Sequence, residues 1–149
     1  MSRLLELAGA GPEEVFLDLG CGCGATNLAV ASRVRLSIGV DLVPAAVEFA
    51  RQAAARLGID NARFHRGDLL HFDLSQADVM YCAATAVSEW LAQQLATRSH
   101  LCKPGARLVT VEHPLENQEL ELVASHHATM AWTNGTQPRL WTFFIYRKK

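Results

Sequence analysis

The sequence predicts an α/β fold: a doubly wound, mostly parallel sheet with helices on both faces and an antiparallel hairpin at its end. Three observations carry that expectation. Apolar, strand-like runs alternate with helical patterns through most of the chain, the order that builds parallel sheets. The first run, Val15 to Leu19, opens directly into a glycine turn and a helix, and the second ends in Asp41, roughly twenty residues beyond that turn. Two long strand-like stretches then flank Asn134-Gly135, a dipeptide suited to a hairpin turn.

At 149 residues, 50% hydrophobic and 19% charged, the chain can bury one sizeable core and is too short for two. Residues 1–149 are therefore read as one domain. A net charge of −1 supplies no field to hold a polyanion, so nucleic acid is not expected as a partner. The terminal Arg147-Lys148-Lys149 reads as a solvated tail. No apolar run approaches the ~20 residues of a membrane span, and Met1 to Gly11 fits neither a signal nor a transit peptide. The four cysteines, at 21, 23, 82 and 102, form no C-x-x-C pair. No metal site is expected, and a reducing, cytoplasmic setting is the simpler reading. Oligomeric state is not legible.

In chain order, Ser2 to Leu7 has a short helical pattern, and Gly9, Gly11 and Pro12 break it before the first strand. After the glycine turn, Leu28 to Ala31 suggest a small-residue helix ending near Ser32-Arg33. Arg35 to Leu42 is the second strand. Pro44 suits a first helical position, and Val47, Ala50, Ala54 and Leu57 recur at helical spacing, with Gly58 closing the helix. Ala62 to Arg66 is the third strand and Ala77 to Ala84 the fourth. A helix carrying Val87, Leu91, Leu95 and Arg98 follows, with Trp90 expected in the core. Lys103-Pro104-Gly105 turns into a fifth strand, Ala106 to His113. Pro114 to Glu119 leaves room for a loop or short helix. Leu120 to Thr133 and Arg139 to Arg147 form the terminal hairpin. His126 and His127, adjacent on its first strand, point to opposite faces.

The chemistry concentrates in Asp18-Leu19-Gly20-Cys21-Gly22-Cys23-Gly24. Glycine lets the backbone turn with positive φ and lets a ligand approach closely, and the following helix start offers unpaired N–H groups. The spacing is G-x-G-x-G rather than the G-x-G-x-x-G of dinucleotide sites. A carboxylate at Asp18 repels pyrophosphate and attracts an ammonium group. This combination resembles the first motif of the class I S-adenosylmethionine (SAM)-dependent methyltransferases, and the Rossmann-like sheet expected here matches their seven-strand fold.

That resemblance implies SAM as cofactor and assigns roles. Asp18 with Leu19, Gly20, Cys21, Gly22 and Gly24 would hold the methionine end. Asp41, with Leu42 beside it, would hold the ribose. In Gly67-Asp68-Leu69, Asp68 would accept from the adenine amine while the Leu69 N–H serves a ring nitrogen. The methyl group would point toward Cys82 and Ala83. Glu112 and His113, at the end of the fifth strand, are the polar candidates for a base.

The fourth motif has no Asn-Pro-Pro-Tyr or Asp-Pro-Pro-Tyr, so methylation of a base nitrogen is disfavoured. Small apolar residues there suit an amine entering through a narrow channel, and such a channel lowers a lysine pKa. The chain resembles the non-SET histone lysine methyltransferases, which carry Asn-Asn where it has Ala83-Ala84. It is more similar to the lysine methyltransferases of mitochondrial carriers and the ATP-synthase c-subunit, which share Asp41…Pro44 and the Trp-containing Leu140-Trp141-Thr142. Many of those carry a membrane-targeting segment that has no match here. Transfer to a protein lysine is thus expected, with a small-molecule N- or O-methyltransferase, or a SAM-binding subunit needing a partner, as alternatives.

Overall fold

The computed structural model describes residues 8–129 and 139–149, and of Val87 the backbone only. The expected Ser2–Leu7 helix and the Asn134-Gly135 turn lie outside the described residues. Parallel strands β1 (Val15–Leu19), β2 (Leu36–Asp41), β3 (Ala62–Arg66), β4 (Val79–Cys82) and β5 (Arg107–Val111) are joined by antiparallel β6 (Leu120–Thr129) and β7 (Leu140–Lys148). The strands form one seven-stranded sheet in the order β3-β2-β1-β4-β5-β7-β6. The order reverses between β1 and β4, which opens a crevice at their carboxyl ends.

Alternation along β1 divides the core. Phe16 turns to the face that also buries Val79, Tyr81, Val109, Phe143 and Ile145. Leu17 and Leu19 turn to the other, where Met80, Cys82 and Leu108 pack under Ala92, Leu95 and Ala96 of helix α3 (Glu89–Arg98). Helix α1 (Ala25–Val30) lies on the Phe16 face and is tied to β2 through the fully buried Asn27, whose Nδ2 donates to Ser37 Oγ at 3.0 Å. Helix α2 (Pro44–Leu57) covers the same face further out, starting at Pro44 and ending on Gly58 at φ 66° as its sequence implies.

Several boundaries and faces differ from the sequence expectation. β4 stops at Cys82, because Ala83–Val87 coils into a 3-10 turn. The Thr85 hydroxyl holds that turn, lying 2.9 Å from the Cys82 carbonyl and 2.8 Å from the Val111 N–H that donates to it. β5 stops at Val111, because Glu112 takes φ 66°. Trp90 is 63% exposed rather than core. The buried stripe of α3 is Ala92, Leu95 and Ala96, and Trp90 falls on the opposite side of the 3.6-residue period. Leu57 shares the helical spacing of Val47, Ala50 and Ala54 but is exposed at the last residue of α2, past the buried stretch.

Candidate functional site

A cavity of about 370 Å³ opens where β1 and β4 end. Asp18, Gly20, Cys21, Gly22 and Cys23 form one wall, Ala25 and Thr26 of α1 another, and Tyr81, Ala83, Ala84 and Ala86 the third. The glycine turn is shaped by backbone that only glycine adopts readily, with Gly22 at φ 51° and Gly24 at φ 78°. The two positions serve different ends. A Cβ on Gly22 would meet no described protein atom within 4 Å, so apart from its left-handed φ no packing contact requires a glycine there. A Cβ on Gly24 would lie 2.6 Å from the Phe64 ring and 2.9 Å from Ala50, so Gly24 lets α1 close on α2 and β3.

Asp18 is 2% exposed, and its Oδ1 has no hydrogen-bond partner among the described residues. Burial, and then the Asp41 charge, push its carboxyl up to about 8 from the ordinary 3.8. The unfolded chain loses this proton near pH 4 while the folded protein keeps it to about pH 8. The native state therefore binds more protons across that window, and stability falls as pH rises through it. Thermal melts of the ligand-free protein should show this decline between about pH 4 and pH 8, and Asp18→Asn should flatten it. Once ionised, this carboxyl at the end of a cavity could hold a ligand cation.

Asp41 sits on the far side of the turn with both oxygens on backbone: Oδ2 accepts from Gly22 N at 2.8 Å and Oδ1 from Val43 N at 2.9 Å. It therefore ties the glycine turn to the end of β2 and holds the Val43 backbone that leads into α2. Each oxygen keeps a second lone pair for a hydroxyl donor. Leu42 beside it is 63% exposed. Asp68 accepts from Leu70 N at 2.8 Å and faces His71 Nδ1 at 3.0 Å, which pulls its carboxyl below the usual range. Leu69 comes to within 3.7 Å of a Cβ built on Gly20, and Arg98 pins this loop by donating to the Leu69 and Phe72 carbonyls. Asp41, Leu42, Asp68 and Leu69 thus stand around the turn without lining the cavity.

Leu19 and Cys82 pack their side chains in the core, and burial raises the Cys82 thiol to about 12. Ala83 does line the cavity, from the 3-10 turn rather than from a strand. Glu112 and His113 do not line it. Glu112 is committed to β7: its Oε1 accepts from Thr142 N at 2.8 Å, its N–H donates to Thr142 O, and its Oε2 pairs with Arg139 at 3.2 Å. The His113 N–H donates to Val111 O at 2.8 Å. Sequence reasoning placed Ala84 beside Ala83 in the fourth motif but missed Ala25, Thr26, Tyr81 and Ala86. Strand parity could have found Tyr81, since β4 shares its alternation with β1 and pairs Tyr81 with Asp18.

Known proteins resemble this one in both sequence and fold. A family model described as the ANTKMT methyltransferase domain matches residues 18–121. A tRNA (uracil-5-)-methyltransferase homolog B from Mus musculus is 45% identical over 62 residues, 42% of this chain. A release factor glutamine methyltransferase from Vibrio cholerae is 49% identical over 70 residues, 44% of this chain. The chain spans only 13% and 24% of those two relatives' lengths. Among solved structures, an RNA methyltransferase from Salinibacter ruber, in complex with S-adenosyl-L-homocysteine, has a TM-score of 0.78 at 23% identity, covering 99% of this chain and 88% of its own. A SAM-dependent methyltransferase from Methanosarcina mazei has a TM-score of 0.79 at 18% identity, covering 99% and 98%.

Proposed function

The chain belongs to the ANTKMT methyltransferase family, and from that premise we propose that it transfers a methyl group from S-adenosylmethionine to the ε-amine of a protein lysine. The observation that carries the cofactor half is the buried, unpartnered Oδ1 of Asp18 at the end of a glycine-walled cavity. An amino-acid ammonium satisfies that oxygen, and the bare Gly22 leaves space for the chain attached to it. In this reading the backbone of Leu19, Gly20, Cys21, Gly22 and Gly24 flanks the methionine end. Asp41, with Leu42 beside it, would take the ribose hydroxyls, and Asp68 with the Leu69 N–H would meet the adenine edge. Bound there, SAM supplies a methyl group made electrophilic by its sulfonium.

The protein's own contribution is alignment and exclusion of water, because methyl transfer is an in-line displacement. The acceptor amine must be neutral to attack. Its nitrogen lone pair forms the new N–C bond as the C–S bond breaks, and the product ammonium gives its proton to water. Ala83, Ala84 and Ala86 make the turn after β4 a small, apolar part of the cavity wall, which supports a slender aliphatic amine and favours its neutral form. A reducing, cytoplasmic setting belongs to the same proposal; the four cysteines are unpaired.

Asp41→Ala should weaken S-adenosylhomocysteine tenfold to a hundredfold, from loss of charge-assisted bonds worth about 1.5–3 kcal/mol. Calorimetry measures this, and unchanged affinity would remove Asp41 from the site. The transfer itself is tested with methyl-labelled SAM in a lysate of the native host. Label should appear in a protein band and survive acid, as N-methyl-lysine does. Label confined to small molecules would support a small-molecule enzyme, and label in RNA would favour the substrate class that the tRNA methyltransferase relative is named for. SAM binding without any transfer would point to a subunit that needs a partner.

A further inference from the structure

Resting on the SAM reading of the cavity, we infer that Tyr81 is a specificity residue, whose hydroxyl donates a hydrogen bond to the carboxylate of the cofactor's methionine part. An amino acid brings two opposite charges on one carbon. Asp18 answers the ammonium, so the carboxylate needs a donor immediately beside it. Among the described residues that line the cavity there is no Lys, Arg or His; Tyr81 and Thr26 supply the hydroxyl groups, and Cys23 an exposed thiol.

Position separates the two hydroxyls. Tyr81 is the registered partner of Asp18 on the adjacent parallel strand, on the same face of the sheet, at a strand spacing of about 4.8 Å. It lines the cavity while only 5% exposed, so its ring is fixed by packing and is already in place before a ligand arrives. No hydrogen bond among the described residues engages its hydroxyl. Burial, and then the Asp18 charge, push the phenol above its ordinary range, which keeps it a neutral donor. Thr26 belongs instead to the first turn of α1 and is less buried.

The test compares ligands that differ by one group. Calorimetry is run with S-adenosylhomocysteine, with its decarboxylated analogue that keeps the amine, and with its deaminated analogue that keeps the carboxylate. Tyr81→Phe retains the ring and should weaken S-adenosylhomocysteine about tenfold while leaving the decarboxylated analogue within about twofold. Asp18→Asn should show the opposite preference, hurting the parent ligand and sparing the deaminated one. Equal weakening of all three ligands by Tyr81→Phe would make Tyr81 a packing residue and overturn the assignment. So would an unchanged S-adenosylhomocysteine affinity, or carboxylate selectivity lost in Thr26→Val instead. Failure of the wild-type protein to bind S-adenosylhomocysteine would overturn the cofactor reading itself, which the ligand comparison separates from failure of Tyr81 alone.

Discussion

Gly22→Val should abolish S-adenosylhomocysteine binding, by more than about a hundredfold, and leave a folded protein. The added side chain has room, because a Cβ at Gly22 meets no protein atom within 4 Å. That room is the space the cofactor's methionine part is proposed to fill, so the valine would compete with the ligand rather than with the fold. Its cost to stability is the left-handed φ of 51°, about 1–2 kcal/mol for a residue with a Cβ. Far-UV circular dichroism should stay native while calorimetric heats vanish. A Gly22→Val protein binding at wild-type strength would reduce the turn to a structural feature.

Gly24→Ala should do the reverse, and its effect on stability should be the largest of any single methyl group in the turn. The new Cβ would stand 2.6 Å and 2.7 Å from Phe64 ring carbons and 2.9 Å from the Ala50 Cβ, at φ 78°. Those neighbours are themselves buried, so the clash is relieved only by moving α1 from α2 and β3. Overpacking and backbone strain together put the loss at about 3–4 kcal/mol, or roughly 10 °C in Tm. Chemical denaturation should show the midpoint falling. Any Gly24→Ala molecules that remain folded should still bind S-adenosylhomocysteine, because the substituted atom faces protein and not the cavity. A Gly24→Ala protein as stable as wild type would contradict the packing described at that position.

The contrast between these two glycines marks how far sequence could be read. G-x-G-x-G with Asp18 and Asp41 located the crevice, since strand-end acids and glycines follow from local rules that the sheet then obeys. Which glycine serves a ligand and which serves a helix contact was not legible, because the Phe64 ring that decides it lies forty residues away in sequence. The same holds for Trp90. A lone aromatic in an apolar helix reads as core, yet the stripe is set by Ala92, Leu95 and Ala96, small residues that let α3 approach the sheet closely. Glu112 read as a free polar group at a strand end, but its positive φ turns it back onto Thr142 and Arg139. Tyr81 was legible in principle, by parity with Asp18, once the pairing of β1 with β4 is known.

Calorimetric titration of the wild-type protein with S-adenosylhomocysteine at pH 7, in two buffers of different ionisation enthalpy, bears most directly on the cofactor cavity. Asp18 holds a proton up to about pH 8 in the ligand-free protein and must give it up to receive an ammonium group. The expected result is saturable binding of one ligand per chain with proton release to the buffer, lost in Asp18→Asn. Absence of binding, or binding with no proton release and no dependence on Asp18, would contradict the placement of the methionine end against that carboxylate.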